Sequence, residues 1–311
     1  MDVHTALWLI FAAVISFMFL VDLWVFRHSR EIALREALGW TLLWVSLAAA
    51  FNGVIWFYLG QAKALEFLTG YLIEESLSVD NLFVFIMIFA YFRVAKLHQP
   101  KILKWGIIGA LIMRGIFIVA GIGLIERFHW IVYLFGAVLI YTGAKMAFGK
   151  EGKVEPEKNL LVRLFRKFVP VTRRARGDRF FIRRRGVLAA TPLLLTLLVV
   201  ESSDLLFAVD SIPAVLAVSR DPLIVYSSNV FAIMGLRSLY YLLAHVIQMF
   251  THLKLGVSII LSFVGVKMVL ADLVEIPLHF SLGVIVGVLA ISILSSVLFA
   301  GKGKKGLGAR G

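Results

Sequence analysis

Cysteine is absent from this chain of 311 residues, which excludes disulfide bonds and any thiolate metal or redox site. Charged residues are also scarce, because Asp, Glu, Lys and Arg make up 16% of the sequence, whereas 60% of it is hydrophobic. A soluble domain has about 45–50% apolar residues. Neither the His-Glu-x-x-His motif nor the Gly-x-Ser-x-Gly motif occurs, so the sequence does not indicate an enzyme.

Apolar runs of about 20 residues, the length that crosses a bilayer, recur along the whole sequence. We therefore predict an all-α polytopic membrane protein with nine transmembrane helices. The first run has no basic start and no small-residue cleavage site, so we expect a retained helix and not a signal peptide. The predicted spans are 5–26, 37–59, 65–92, 103–125, 130–148, 187–219, 223–250, 253–274 and 278–300.

The net charge of +13 is carried largely by segments between the spans. Residues 150–185 alone contain 13 Lys and Arg against 4 Asp and Glu. Segments rich in Lys and Arg alternate with poor ones, so the positive-inside rule predicts an external N-terminus and a cytoplasmic C-terminus. We expect the basic loop 149–186 to contact anionic lipid. No motif indicates a nucleic-acid partner.

Two of the apolar segments carry carboxylates near their centres. The first holds EESLSVDN at 74–81, and the second holds ESSDLLFAVDS at 201–211. Each acid at the centre of a membrane helix costs about 2.5–3.5 kcal/mol on insertion scales, so six retained acids indicate a function. Carboxylate, amide and hydroxyl oxygens suit hard divalent cations such as Mg²⁺, Ca²⁺ or Mn²⁺. The two motifs therefore predict a site that binds and passes a cation.

The spacing of the acids leaves two arrangements open. A regular helix advances about 100° per residue, so Glu201 and Asp204 share a face, whereas Glu74 and Asp80 point about 120° apart. Either the helix unwinds between such acids, or the acids line a cavity from two sides. Pro213 removes a backbone N–H close to the second motif and favours an irregularity there.

The two halves of the sequence repeat. The residues YTGAKM at 141–146 match FVGVKM at 263–268, and an arginine precedes each lysine by 31 or 30 residues, Arg114 in the first half and Arg237 in the second. Spans 3–5 thus repeat as spans 6–8. Because three is an odd number, the copies face opposite ways, as in many secondary transporters.

The alignment of the acids within this repeat has a preferred and a rival register. The preferred register pairs Asp80 with Asp210, and the rival register pairs Asp80 with Asp204. The predicted organisation is two N-terminal helices at 1–62, a first repeat at 63–148, the basic loop at 149–186, a second repeat at 187–275, and a last helix with a basic tail at 276–311.

Four basic residues inside or near the ends of spans are candidates for ion pairing or gating: Arg114, Arg237, Lys145 and Lys267. We expect each arginine to pair with an acid when the cation is absent, and competition between guanidinium and cation would couple binding to conformation. The alternative is a static ion pair that serves assembly. The lysines have a simpler alternative too, because their side chains can extend to the interface.

The sequence motifs around the acids resemble those of a known family. GYLIEESLSVDNLFVF at 70–85 and ESSDLLFAVDSIPAV at 201–215 are similar to the signature of the TerC family, and its Alx-type members are similar over nearly the whole chain. The resemblance implies a bacterial inner-membrane protein of the LysE-like transporter superfamily that exports manganese. Carried over by position, the candidate metal ligands are Glu74, Asp80, Asn81, Glu201, Asp204 and Asp210.

We therefore expect a transporter that exports divalent cations, with Mn²⁺ as the first choice, by alternating access around midplane carboxylates and in possible exchange for protons. No organic cofactor is expected, and the sequence does not determine the oligomeric state. The alternatives are a protein of tellurium resistance, since the family name records that association, and a metal-delivery protein that binds metal without net transport.

Overall fold

The computed structural model describes residues 2–25, 32–128, 130–148, 163–165, 167, 169–172, 179–184, 187–246, 253–274 and 276–300. These residues include nine helices of at least 17 residues. They are α1 Val3–Val25, α2 Leu34–Leu59, α3 Gln61–Tyr91, α4 Gln99–Arg127, α5 Ile131–Phe148, α6 Pro192–Leu216, α7 Pro222–Val246, α8 Leu253–Val269 and α9 Leu278–Ala300. A 3-10 turn, Lys96–His98, precedes α4, and an antiparallel hairpin of β1 Phe181–Arg184 and β2 Val187–Ala190 precedes α6.

Within the described residues, seven helical segments are long and apolar enough to cross a membrane: α1, α2, α4 with its preceding turn, α5, α6, α7 and α9. Every 18-residue stretch of α3 includes Glu74, Glu75 and at least one further charged residue, and α8 has only 17 residues. Large apolar side chains such as Phe57 and Phe148 are 83% and 89% exposed, as expected where lipid covers a helix. The chain is therefore a mostly helical polytopic membrane protein, and spanning by α3 and α8 stays a prediction.

Two predicted span boundaries are wrong. The sixth span was expected to begin at residue 187, but 187–190 form β2, whose backbone groups pair with β1. The helix begins at Pro192 because proline suits the first turn, where an N–H has no helical partner. The eighth span was expected to reach residue 274, but α8 ends at Val269 and a turn follows, in which Asp272 accepts a hydrogen bond from the Tyr133 hydroxyl.

Both helices that carry the acidic motifs are continuous, so of the two arrangements left open by the spacing, unwinding between the acids does not occur. The acids six residues apart therefore lie on different faces of α3 and α6. Pro213 lies inside α6, but only three residues before its last residue, Leu216. Its missing N–H frees one carbonyl near the helix end, where the loss does not break the helix.

The helices interlock across the middle of the protein. α3 packs on α7, α6 packs on α4, and α5 packs on α8, while α3 and α6 also contact each other. α7 is buried over almost its whole length, whereas α1, α2 and α9 are mostly exposed to the surroundings. A polar site formed between α3, α4, α6 and α7 is therefore shielded from lipid by protein.

Glycine permits the close contact between α5 and α8. A Cβ on Gly143 would lie 2.8 Å from the carbonyl oxygen of Ser258, and a Cβ on Gly265 would lie 2.8 Å from the carbonyl oxygen of Gly136. Small residues let helix backbones approach each other in membranes, where packing rather than the hydrophobic effect joins helices. Any larger side chain at these positions would separate α5 from α8.

Candidate functional site

A buried ion pair occupies the centre of the interlocked helices. The Arg114 guanidinium of α4 meets the Glu74 carboxylate of α3, and their side chains are 3% and 0% exposed. Arg114 Nη1 also donates to Asn229 Oδ1 of α7 at 3.2 Å, and Asn229 Nδ2 donates to Glu74 Oε2 at 2.9 Å. Three helices are thus joined by a closed set of polar contacts, as the low dielectric of the interior requires.

The second acidic motif reaches the same place from α6. Asp204 is buried, and its carboxylate interacts electrostatically with the Arg114 guanidinium. Glu201, one turn earlier, interacts with Asp204 and lies directly against the backbone of α4 at Gly109, where there is no room for a Cβ. We refer to Glu74, Arg114, Glu201, Asp204 and Asn229 as the Arg114 cluster.

The charges of the Arg114 cluster do not balance. When the side chains are ionised, the Glu74 and Asp204 carboxylates interact with the Arg114 guanidinium and the Glu201 carboxylate interacts with Asp204, so that three carboxylates accompany one guanidinium. Two negative charges remain, which equals the charge of one divalent cation. A buried excess of charge is costly unless it is paired or coordinates a metal, so the cluster favours a cationic ligand over an anionic one.

The remaining predicted ligands lie elsewhere or are only partly described. Asp210, six residues beyond Asp204, is half-buried, accepts a hydrogen bond from Thr142 Oγ1 of α5 at 2.8 Å, and interacts with Lys145. Asn81 is buried in α3. The backbone of Asp80 belongs to α3, but its side chain lies outside the described residues. The predicted acids thus form a central group and a separate group at α5.

The predicted ligands whose side chains are described do not converge on one point. Among the described residues, no three His, Asp or Glu side chains lie close enough together to hold a metal ion. Glu74 is engaged by Arg114 and Asn229, and Asp210 is engaged by Thr142. Binding of a cation by several of these carboxylates therefore requires Arg114 or Thr142 to give up its present partner.

The serines of the motifs divide into two sets. Ser76, Ser202 and Ser203 donate hydrogen bonds to carbonyl oxygens of their own helices, so their hydroxyls are engaged. Ser78 and Ser211 are buried, and their hydroxyls have no hydrogen-bond partner among the described residues. These two hydroxyls remain as candidates to supply further oxygen ligands.

The second buried arginine has a different acid partner. Arg237 Nη1 of α7 lies 2.8 Å from Asp22 Oδ2 of α1, and both side chains are 2% exposed. Asp22 lies near the end of α1, and its side chain is buried where α1 contacts α7. Lys267, the remaining gating candidate, donates to Ser281 Oγ of α9 at 2.9 Å.

Several residues of the site do not stand out in the sequence. Asn229 follows Ser227 and Ser228 in a long apolar segment, and an amide at such a position is the signal that could have identified it. Thr142 lies beside the repeated Gly-x-Lys motif but carries no charge. Gly109 is one of many glycines, and its contact with Glu201 follows from the packing of α4 on α6.

Apolar spanning helices around a buried excess of carboxylates define an integral membrane protein with an intramembrane polar site. The chain matches the model of the integral membrane protein TerC family over residues 59–304, and it belongs to that family.

The relatives cover nearly the whole chain. It is 48% identical over 293 residues to the uncharacterized membrane protein STKORF319 of Myxococcus xanthus, which spans 94% of this chain and 92% of the relative. It is 45% identical over 298 residues to Alx of Escherichia coli K12, named as a membrane-bound redox modulator, with 93% of each chain covered. No solved structure matches the chain.

Proposed function

We propose that the protein exports divalent metal cations, with Mn²⁺ as the preferred substrate, and that the Arg114 cluster is the central cation site. The observation that carries this proposal is the excess of two carboxylates over one guanidinium in a cluster whose Glu74, Asp204 and Arg114 side chains are buried and whose Glu201 side chain is partly buried. Oxygen ligands of this kind suit Mn²⁺, and the resemblance to Alx-type members of the TerC family implies manganese export.

Competition with Arg114 gives a simple transport cycle. In the present arrangement the guanidinium neutralises Glu74, so the site has its own internal cation. An incoming Mn²⁺ would displace Arg114 from Glu74, and departure of the metal would let the ion pair form again. In each state a cation, either the guanidinium or the metal ion, is paired with the Glu74 carboxylate, which avoids the large cost of leaving that buried charge isolated.

Two cavities support access from both ends of α6. A cavity of about 870 Å³ is lined by Pro192 and Leu193 at the start of α6, and one of about 790 Å³ is lined by Leu216 at its end. Glu201 and Asp204 lie between these ends along the helix. This placement suits a central site that opens alternately to the two sides of a membrane.

Reciprocal contacts support the inverted repeat. When YTGAKM is matched with FVGVKM, Gly143 corresponds to Gly265 and Gly136 corresponds to Ser258. Gly143 meets Ser258 while Gly265 meets Gly136, so one contact occurs twice with the helices exchanged. Such reciprocity is characteristic of a two-fold relationship. In the predicted repeat α3 corresponds to α6 and α4 corresponds to α7. The packing of α3 on α7 therefore matches the packing of α6 on α4.

The proposed setting is the bacterial inner membrane, with nine spans, an external N-terminus and a cytoplasmic C-terminus. The charge pattern of the connecting segments supports this orientation. Proton exchange is part of the proposal because a carboxylate that releases a metal ion can take up a proton, and the cluster contains two carboxylates beyond the one that balances Arg114.

Metal flux into liposomes tests the proposal. The purified full chain is reconstituted, and entry of Mn²⁺, Mg²⁺ and Ca²⁺ is followed with and without a pH gradient. We expect Mn²⁺ flux that the gradient accelerates, with Asp204→Asn reduced to the level of protein-free liposomes. Glu126→Gln, which removes an exposed acid outside the Arg114 cluster, is the matched control. Flux through Asp204→Asn at the wild-type rate would contradict the site.

The separate acids can be tested in cells. Asp80→Ala and Asp210→Ala are expected to make cells manganese-sensitive while the protein remains in the membrane. Normal manganese tolerance in both variants would remove these two residues from the proposed pathway.

A second candidate is metal delivery without net transport, which the same acids could perform. The incomplete convergence of the acids in the described part of the chain favours this candidate. Saturable Mn²⁺ binding without flux would support it further. Action on tellurium oxyanions is disfavoured, because the excess negative charge of the Arg114 cluster would repel them. A redox role, as in the name of the Alx relatives, could not use thiols in this chain, which has no cysteine.

A further inference from the structure

The end of α3 has an unusual residue at its cap. Arg93 has a φ of +50° and is the one non-glycine residue with positive φ in the described part of the chain. Its N–H donates to Ala90 O at 3.1 Å, and the Val94 N–H donates to Phe89 O at 2.9 Å, which is the Schellman pattern. Glycine is the usual residue at this position, because a Cβ is unfavourable in the left-handed region. The Arg93 side chain therefore serves something other than the local backbone.

Arg93 lines a cavity that is neither part of the Arg114 cluster nor close to the acidic motifs. This cavity has a volume of about 380 Å³. Its wall is largely apolar, with Phe89 of α3 and Tyr240 and Tyr241 of α7 among the lining residues, and Arg93 and Lys96 are exposed at its rim. We refer to it as the Arg93 cavity.

We propose that the Arg93 cavity binds the headgroup of an anionic phospholipid. The two basic side chains at the rim match a phosphate diester, and the apolar wall matches the glycerol and the first acyl carbons. The cavity lies where a membrane helix ends, which is the level of lipid headgroups, and tyrosines are enriched at that level. A free phosphate would leave the apolar wall exposed to water, so a lipid fits better.

A bound lipid would join two helices of the polar site. The Arg93 cavity is formed mainly by the last turns of α3 and α7, and these same helices carry Glu74 and Asn229, whose side chains are hydrogen-bonded at 2.9 Å. The lipid site is thus placed to hold α3 against α7. Arg93 also lines the cavity of about 870 Å³ at the start of α6, but lipid binding is measured without flux and therefore tests this site apart from the proposed metal transport.

Native mass spectrometry of the full chain tests the site with two lipids, phosphatidylglycerol and phosphatidylcholine. We expect wild-type protein to retain phosphatidylglycerol better, with about a fivefold contribution from each favourable basic contact with the anionic headgroup. Arg93→Gly should lower the preference about fivefold, because glycine keeps the backbone conformation and removes the basic side chain, while Lys96 remains. Arg93→Asn, which also tolerates positive φ, repeats the test if the glycine variant does not fold.

Arg35→Gln is the matched control, because Arg35 is an exposed arginine that does not line the cavity. It should leave the preference unchanged. An undiminished preference in both Arg93→Gly and Arg93→Asn would overturn the proposal and attribute lipid attraction to other basic segments. Full displacement of phosphatidylglycerol by millimolar inorganic phosphate would also overturn it, because the site would then recognise free phosphate.

Discussion

The two halves of the sequence each contain a buried arginine at nearly the same distance before a lysine, and the two arginines have different surroundings. Arg114 lies among carboxylates from α3 and α6, within the TerC match, whereas Arg237 meets Asp22 from α1, which precedes that match. Both are almost fully buried and both are ion-paired. The comparison teaches that burial and pairing alone do not define a transport site. The excess of carboxylates around Arg114 is what favours a second cation.

Among the expected effects on transport, the largest is a loss of Mn²⁺ flux at Glu74. Glu74→Gln should lower the Mn²⁺ flux at least tenfold, equivalent to about 1.4 kcal/mol, because it removes a carboxylate from the Arg114 cluster. Asp22→Asn should leave the flux of correctly folded protein near the wild-type value, since Asp22 belongs to the other pair. Both are measured in liposomes at matched protein content. Equal losses in the two variants would remove the functional distinction between the arginines.

The two pairs should also differ in stability. Asp22→Ala should destabilise the protein by about 3–5 kcal/mol, because it removes the carboxylate that is paired with the buried Arg237 guanidinium. Glu74→Ala should cost less, since Asp204 and Asn229 still surround Arg114. Unfolding in detergent measures both effects. The double variant with Met at 22 and 237 should recover most of the loss, and failure to recover would show that Asp22 does more than neutralise Arg237.

A smaller effect is expected from Gly109→Ala. The added Cβ would displace the Glu201 carboxylate from α4, and we expect a severalfold loss of Mn²⁺ flux, corresponding to about 1 kcal/mol of overpacking. Gly123→Ala on the same helix is the control, because no atom lies within 4 Å of its added Cβ. If both variants transport equally well, the position of Glu201 does not matter for transport.

The smallest effect is expected at the separate acid. Thr142→Val removes the hydrogen bond to Asp210 and should destabilise the protein by about 1 kcal/mol. Thr41→Val, which removes a hydrogen bond to the carbonyl of Ala37 in α2, is a control outside the site. If Thr142→Val lowers the Mn²⁺ flux more than Gly109→Ala does, Asp210 and not the Arg114 cluster is at the centre of transport.

The sequence alone predicted the membrane class and the TerC family, and both are confirmed. The cost of burying an acid in a membrane identified Glu74 and Asp204, because few other reasons retain a carboxylate there. Pairing of Arg114 with an acid was also predicted, and its contact with Glu74 agrees.

The partners of these residues depend on packing, which local sequence does not determine. Asp22 meets Arg237 because α1 lies against α7, and Asn229 reaches Glu74 because α7 lies against α3. The hairpin before α6 was missed because the four residues of β2 are as apolar as the helix that follows, although Thr191 and Pro192 mark where the helix begins. The metal identity, the inverted repeat and the orientation in the membrane stay predictions.

The most direct measurement locates bound Mn²⁺ by electron paramagnetic resonance. Because the chain has no cysteine, a single introduced cysteine can carry a nitroxide at either of two exposed positions of α4, Ile112 or Leu124. These positions are separated by about 18 Å along the helix. Arg114 is two residues after Ile112. The account predicts that Mn²⁺ lies closer to the label at 112 and that Asp204→Asn abolishes both signals. An ion closer to the label at 124, or one that Asp204→Asn leaves in place, would contradict it.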